Sequence, residues 1–382
     1  MISTIPSFIY FDHNATTPVD SRVLEAMLPY FSDKFGNAAS ITYALGLGAK
    51  AAVDGAREKV AQMIHCIPQE ITFTSGSTES LNTIIKGIFW RYRSKGNHFV
   101  SLPTEHQAVL DTLQWITSQG AEVSFAKVRP NGLVDIADLK AKIRPDTIAV
   151  IAMLANNETG VIQPIRELSE MAHQNGSLLV CDATQAIGKM EVDVQALGID
   201  AMTCSAHKFY GPKGVGMMFL RRKSPRVSIE ALIHGGGHER GNRSGTLNVT
   251  GIVGIGKAAE LTPEFIQCYR DKILPIRKYI EETLGNYGIA TINCQETDRL
   301  SNTINARLQN LRAELVIKHI QHKVAISTGS ACSASDPKPS HVLLAMGHTE
   351  EEAHHTIRIS LGVENTMEEA QIFIDLLRKI NS

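Results

Sequence analysis

The stretch Ile148-Ala149-Val150-Ile151-Ala152-Met153-Leu154 is apolar throughout, and two asparagines follow it after Ala155. Two later runs have the same character: residues 177–181 end at Asp182, and residues 201–204 end at Ser205. Short runs that are apolar throughout are typical of parallel strands that helices bury on both faces. The sequence therefore predicts an α/β fold built on a mainly parallel sheet.

Each of these runs gives way to polar residues at its carboxyl end, which is where ligands bind in parallel α/β sheets. We therefore expect the functional site along this edge of the sheet. The pattern changes after about residue 250, where helical segments and a more mixed region follow. We predict a large domain over residues 15–260 and a smaller α+β domain formed by residues 1–14 and 261–382.

Charge and cysteine content exclude several classes of protein. The 382-residue chain carries 38 Lys and Arg against 39 Asp and Glu, and this balance argues against direct binding of nucleic acid or an anionic membrane. The sequence shows neither a long apolar segment nor the features of a signal peptide, so we expect a cytoplasmic protein. Its 6 cysteines form no CxxC pair, which disfavours a disulfide framework or a zinc ribbon, and we expect no metal.

A candidate anion site lies at Gly76-Ser77-Thr78, between a strand-like run at residues 71–74 and a helical pattern. Backbone N–H groups at a helix start, together with small hydroxyl side chains, suit a phosphate group. A simple helix cap would use the same residue types. The local sequence leaves both interpretations open.

Three further side chains follow predicted strands. Lys208 is a candidate for a lowered amine pKa and a covalent bond to an aldehyde, although most lysines are surface charges. Asp182 could pair with a protonated ring nitrogen or cap a helix, and His106 could stack on a ring or serve as a capping histidine. Together with a phosphate site they indicate pyridoxal 5′-phosphate. The P-loop and GxGxxG motifs are both absent.

Two residues in the C-terminal third stand out. Cys332 lies in a Gly/Ser-rich segment at residues 327–335, where a thiol on an accessible loop could act as a nucleophile. An incidental surface cysteine is the alternative. Arg358 interrupts an apolar, strand-like run, so it needs an anionic partner. That partner could be a substrate carboxylate or a structural acidic residue.

With these residues assembled, the chain resembles the NifS/IscS-like cysteine desulfurases of the class V aminotransferase superfamily, which are fold-type I enzymes. The matching motifs extend over nearly the whole chain in family order. They read YFDHNATTP (10–18), FGN (35–37), FTSGSTES (73–80), TEH (104–106), NNE (156–158), DATQ (182–185), SAHK (205–208), YGPKG (210–214), GGGHERG (235–241), RSGT (243–246), GSAC (329–332) and IR (357–358).

The resemblance implies a seven-stranded sheet, bound pyridoxal phosphate and conversion of L-cysteine to L-alanine. Lys208 would bond to the cofactor and move the Cα proton, while His106 would stack on the ring and Asp182 would pair with the ring nitrogen. Arg358 would bind the substrate carboxylate. Cys332 would take the sulfur as a persulfide and pass it to an acceptor protein.

The remaining cofactor contacts follow from the same resemblance. Gln185 and Asn157 would contact the ring hydroxyl and nearby groups, and Asn157 would assist with the substrate carboxylate. The phosphate would be held by Ser77, Thr78, Ser205 and His207, and by Thr246 from the partner subunit of a homodimer. The acceptor could belong to an iron–sulfur, tRNA or DNA phosphorothioate pathway.

Two alternatives to a desulfurase remain at this point. Another class V reaction, such as that of an aminotransferase or a selenocysteine lyase, would not need Cys332. A sulfur carrier without cofactor chemistry would not need the set formed by Lys208, Asp182 and His106. The sequence departs from the family at Ala38 and at Tyr43, near the site entrance, and it ends at Ser382 without the extension that docks an iron–sulfur scaffold. We therefore expect a different delivery route.

Overall fold

The computed structural model describes residues 8–328 and 338–381. Within them, twelve strands form three sheets. The strands are β1 (Ile9–Tyr10), β2 (Ile71–Thr74), β3 (His98–Ser101), β4 (Glu122–Phe125), β5 (Thr147–Met153), β6 (Leu178–Asp182), β7 (Ala201–Ser205), β8 (Gly216–Leu220), β9 (Ala290–Ile292), β10 (Thr303–Leu308), β11 (Val324–Ala325) and β12 (Thr356–Ser360).

The helices of the described residues alternate with strands in the first two thirds of the chain. They are α1 (Ser21–Met27), α2 (Ala44–Met63), α3 (Ser77–Tyr92), α4 (Gln107–Ser118), α5 (Ile136–Lys142), α6 (Ile165–Gln174), α7 (Val249–Cys268), α8 (Leu274–Asn286), α9 (Ala313–Ile320), α10 (His341–Ala345), α11 (Glu350–His354) and α12 (Met367–Asn381). A π-helical turn, Tyr269–Ile273, joins α7 to α8.

The largest sheet has seven strands in the order β2-β8-β7-β6-β5-β3-β4. Strands β3 to β7 run parallel, whereas β8 is antiparallel to both of its neighbours. Strands β5, β6 and β7 are buried along their whole length and lie within one residue of the predicted apolar runs. The prediction of a mainly parallel α/β sheet is confirmed.

Helices cover both faces of this sheet, and alternate side chains of its strands point to opposite faces. Phe99 and Ile151 pack in one apolar cluster with residues of α3 and α4, such as Ile85. Val100 and Val150 pack in a larger cluster that includes residues of α2, α6 and α7. This two-sided burial explains why the central strands are apolar at every position.

The C-terminal third contains a second, antiparallel sheet in the order β12-β10-β9. The N-terminal strand β1 pairs in parallel with β11, so the start of the chain packs against its C-terminal third. The segment that follows β1 continues from there to the large sheet, where Thr17 donates its backbone N–H to the carbonyl of His207. The domain division at residue 260 stays a prediction, and that residue lies within α7.

In the part of the chain that the structure describes, no helix is long and apolar enough to cross a bilayer. The five cysteines of that part are all free thiols. Cys181 and Cys204 are fully buried, and burial raises the pKa of each thiol above its ordinary value. Neither of these two thiols is therefore suited to act as a nucleophile.

Candidate active site

Several of the predicted site residues lie at the carboxyl ends of β6 and β7. Asp182 is the last residue of β6, and Ser205 is the last residue of β7. A short 3₁₀ turn, Ala206–Lys208, follows β7 directly and carries the candidate lysine. Ser77 begins α3, and its backbone N–H donates to the Ser205 hydroxyl at 3.1 Å. One edge of the sheet therefore brings together parts of the chain that are far apart in sequence.

Hydroxyl groups and a helix start form an anion-binding arrangement around Ser77. Its hydroxyl lies 2.7 Å from that of Thr184, whose backbone N–H donates to the Asp182 carboxylate at 2.9 Å. Gly76 precedes the helix with a φ of 155°, and a Cβ there would lie 3.1 Å from the Ser205 hydroxyl. The first N–H groups of a helix have no partner within it, so this end of α3 can bind an anion.

The other predicted phosphate ligands have different surroundings. His207 lies 3.1 Å from the Thr16 hydroxyl, and burial, aided by the charge of Lys208, lowers the pKa of the imidazole to about 4. His207 is therefore neutral near pH 7. Thr78 is exposed in the first turn of α3. Thr246 is also exposed, and no hydrogen bond within the described residues joins it to the Ser77 group.

The amine of Lys208 is held by the N-terminal segment. Its Nζ donates to the backbone carbonyls of Asn14 and Ala15, the latter at 2.7 Å. Burial and the positive charge of Arg358 lower the pKa of the amine to about 8, against the opposing influence of Asp12 and Asp182. A substantial fraction of this amine is therefore neutral near physiological pH, as nucleophilic attack on an aldehyde requires.

His106 is the N-cap of α4, where its Nδ1 accepts the backbone N–H of Ala108 at 3.0 Å. The capping interpretation therefore describes one of its contacts. Burial lowers the pKa of the ring, the negative charge of Asp182 raises it, and the positive charge of Lys208 lowers it. Since Nδ1 accepts a hydrogen bond, the proton of the neutral ring is on Nε2. The neighbouring residue Glu105 accepts the backbone N–H of Met153, which pairs with Asp182 between β5 and β6, so His106 lies near the same edge of the sheet.

Arg358 lies in β12 and is 5% exposed. Its Nη2 donates to the Asp12 carboxylate at 2.7 Å, and its Nη1 donates to the backbone carbonyl of Asn157 at 3.1 Å. The structural ion pair that the sequence left open is therefore present. The Asn157 carbonyl also accepts the side-chain amide of Asn14, whose own backbone carbonyl accepts the Lys208 amine, so the guanidinium lies close to the candidate site.

The sequence did not single out Asn14, although it connects most of the site. Its backbone carbonyl accepts the Gln185 side-chain amide at 3.0 Å as well as the Lys208 amine. Its own side chain donates to Asn157 at 3.1 Å and to Thr303, on β10, at 2.9 Å. The polar residues that directly follow strand β1 were the available signal. The predicted nucleophile, Cys332, lies outside the described residues.

The chain belongs to the class-V aminotransferase family, whose model matches residues 9–373. Over 369 residues it is 47% identical to the cysteine desulfurase IscS of Anaeromyxobacter dehalogenans, covering 96% of this chain and 91% of that protein. A solved NifS-like protein superimposes with a TM-score of 0.91 at 37% identity, covering 98% of this chain and 99% of the other. The solved complex of SspA with cysteine superimposes with a TM-score of 0.82 at 35% identity, covering 93% of this chain and 99% of the other.

Proposed function

We propose that this chain is a cysteine desulfurase that uses pyridoxal 5′-phosphate, converts L-cysteine to L-alanine and transfers the sulfur atom to Cys332. The observation that carries the proposal is the position of the half-buried Lys208 amine, which the Asn14 and Ala15 carbonyls hold at the same edge of the sheet as Asp182. The resemblance to cysteine desulfurases over nearly the whole length of the chain supports the same reaction.

The residues present fit pyridoxal phosphate. The Ser77–Ser205 contact at the start of α3 offers hydroxyls and helix N–H groups to a phosphate. The Asp182 carboxylate, at the end of β6, would hold the protonated ring nitrogen, and the neutral His106 ring would stack on the pyridine. Thr78 and His207 would add phosphate contacts, while Gln185 and Asn157 would donate to the ring hydroxyl and its neighbours.

When bound, the cofactor withdraws electrons from the substrate, which makes removal of the Cα proton feasible. The Lys208 amine is the group that accepts this proton and returns it, because its pKa of about 8 allows both steps near neutral pH. His106 has a pKa below the ordinary imidazole value, so its ring is neutral near pH 7 and can offer the Nε2–H as a donor. Neither step requires a group from outside the chain.

Arg358 would bind the substrate carboxylate, assisted by Asn157, because a guanidinium can hold a carboxylate through two hydrogen bonds. The Cys332 thiolate would then attack the substrate sulfur. A sulfur–sulfur bond forms as the substrate carbon–sulfur bond breaks, and the electron pair remains with carbon. Protonation of that carbon gives L-alanine and leaves a persulfide on Cys332, which passes its outer sulfur to an acceptor protein.

We also propose a homodimer. Large apolar side chains of the segment at residues 28–47 are between 40% and 68% exposed, namely Leu28, Phe31, Phe35, Ile41, Tyr43, Leu45 and Leu47. Monomeric proteins seldom leave so much apolar surface in one segment uncovered, so a second copy of the chain is the occupant we assign to it. In that assembly Thr246, exposed in the isolated chain, would reach the phosphate of the partner subunit.

The decisive experiment combines a visible spectrum with product analysis. The purified protein should show the yellow band of a lysine-bound cofactor, and L-cysteine with a reductant should give equal amounts of sulfide and L-alanine. Cys332→Ala should keep the band and lose sulfide release, whereas Lys208→Ala should lose the turnover. A protein that shows no band with added pyridoxal phosphate, or that releases sulfide without Cys332, would contradict the proposal.

A further inference from the structure

Lys189 is a buried lysine next to the site that the mechanism above does not use. It follows β6, four residues after Gln185, and is 4% exposed. Its Nζ donates at 3.1 Å to both the backbone carbonyl and the side-chain oxygen of Gln185, and it lies 3.5 Å from the backbone carbonyl of Lys208. Three carbonyl oxygens of the two site residues therefore surround one buried amine.

This environment is unfavourable for a lysine on electrostatic grounds. Burial, together with the positive charges of Lys208 and Arg358, lowers the pKa of the Lys189 amine to about 7. An apolar side chain of similar length would fill the same space without the cost of desolvating an amine. What such a side chain would lack is the set of N–H donors. The contacts with Gln185 and Lys208 are therefore the property that distinguishes Lys189 from simple packing.

The donors of Lys189 determine how the Gln185 amide is oriented. A carboxamide has an oxygen that accepts and an NH₂ group that donates. With Oε1 accepting from Lys189, the Gln185 Nε2 faces the opposite side and donates to the Asn14 carbonyl at 3.0 Å. The Lys208 amine donates to that same carbonyl. A flipped amide would place two donors against each other at Lys189 and two acceptors at Asn14.

We propose that Lys189 is a positioning residue that directs the donor end of Gln185 toward the cofactor. The inference rests on the proposed function, because Gln185 acts on bound pyridoxal phosphate. One amide hydrogen of Gln185 is used by Asn14, and the second stays available for the ring hydroxyl. Lys189 itself does not contact the reacting atoms.

A double-mutant cycle in cofactor affinity tests this role. The dissociation constant of pyridoxal phosphate is measured by absorbance titration of the cofactor-free protein, for wild type, Lys189→Met, Gln185→Ala and the double variant. We expect Lys189→Met to weaken binding about tenfold, the loss of one well-placed hydrogen bond. The double variant should bind within about twofold of Gln185→Ala, since Lys189 acts through Gln185. Lys278→Met, at an exposed position of α8, is the matched control.

Two outcomes overturn the inference. One is a wild-type affinity for pyridoxal phosphate in Lys189→Met, and the other is a loss of affinity in the double variant equal to the product of the losses in the two single variants. The latter would mean that Lys189 acts on the structure independently of Gln185. Thermal unfolding of the cofactor-free proteins reports on folding, and Lys189→Leu, which also lacks a donor, replaces Lys189→Met in the cycle if that variant unfolds. Failure of the wild-type protein to bind pyridoxal phosphate would instead contradict the proposed function.

Discussion

The guanidinium of Arg358 donates to the carboxylate of Asp12 at 2.7 Å, across 346 residues of sequence. The pair joins β12 of the C-terminal sheet to the segment that follows β1. The same N-terminal segment supplies the carbonyls that hold the Lys208 amine. The group assigned to the substrate carboxylate and the group assigned to the cofactor are thus positioned by one stretch of chain.

Replacing Arg358 with lysine should raise the KM for L-cysteine by ~10- to 100-fold and change kcat less. Lysine keeps the charge but lacks the planar pair of donors that holds a carboxylate bidentately. Steady-state kinetics over a range of L-cysteine concentrations measures the split. Arg166→Lys is the control, because its side chain is 73% exposed in an i,i+4 pair on α6. An unchanged KM would show that Arg358 forms the ion pair with Asp12 and does not bind the substrate carboxylate.

The stability of the cofactor-free protein should rise as the pH increases from about 8 toward the ordinary lysine range. The folded-state pKa of Lys208 is lowered to about 8, so across this window the unfolded chain binds more protons than the folded one. The pKa of Lys189 is lowered to about 7, so this lysine also makes the free energy of unfolding rise with pH, starting from a lower pH than Lys208.

Denaturant unfolding at several pH values tests this sign. Lys208→Met should make the rise with pH shallower, because one of the two lysines responsible is removed. The exposed-site variant Lys278→Met should reproduce the wild-type slope. A slope that is the same with and without Lys208 would show that its amine is solvated like a surface lysine.

Asp182→Asn should weaken binding of pyridoxal phosphate by about tenfold or more. Asparagine keeps the size and the contact with the Thr184 N–H, but it lacks the charge that would hold a protonated ring nitrogen. Absorbance titration of the cofactor-free variant gives the dissociation constant. Asp375→Asn, at a half-exposed position of α12, should bind as wild type. If Asp182→Asn bound pyridoxal phosphate as tightly as wild type, the Asp182 carboxylate would be only a capping group for the Thr184 N–H.

Phe35→Ser should dissociate the proposed homodimer, because Phe35 is 68% exposed in the apolar segment assigned to the second copy. Light scattering should give the mass of one chain for the variant and of two chains for wild type. Leu315→Ser, at a 60% exposed position of α9, is matched in exposure and should remain dimeric. A monomeric wild-type protein would contradict both the homodimer and the role of Thr246 across it.

The sequence predicted the parts of the fold that depend on local pattern. Strands β5 to β7 are apolar along their length because both faces of the sheet are covered, and this made them recognisable. Asp182, Ser205 and Lys208 follow from the same reasoning, since polar residues at the ends of such strands gather at one edge. The antiparallel direction of β8 was not predictable, because an apolar run carries no direction.

The contacts made by Asn14 and Lys189 could not be predicted in the same way. Asn14 matters because a segment at the start of the chain passes between two sheets, and that placement is set by tertiary packing. Lys189 looks like any surface lysine until Gln185 and Lys208 are seen around its amine. The role of Cys332 stays a prediction from its sequence context and the family resemblance.

The most direct test of the account is the mass of the protein after reaction with L-cysteine in the absence of reductant. We predict a mass increase of one sulfur atom per chain, found by peptide analysis on Cys332, with one equivalent of L-alanine released. The Cys332→Ser variant should keep its mass and still bind pyridoxal phosphate. Release of L-alanine with no sulfur on Cys332, or with the sulfur on another cysteine, would contradict the account.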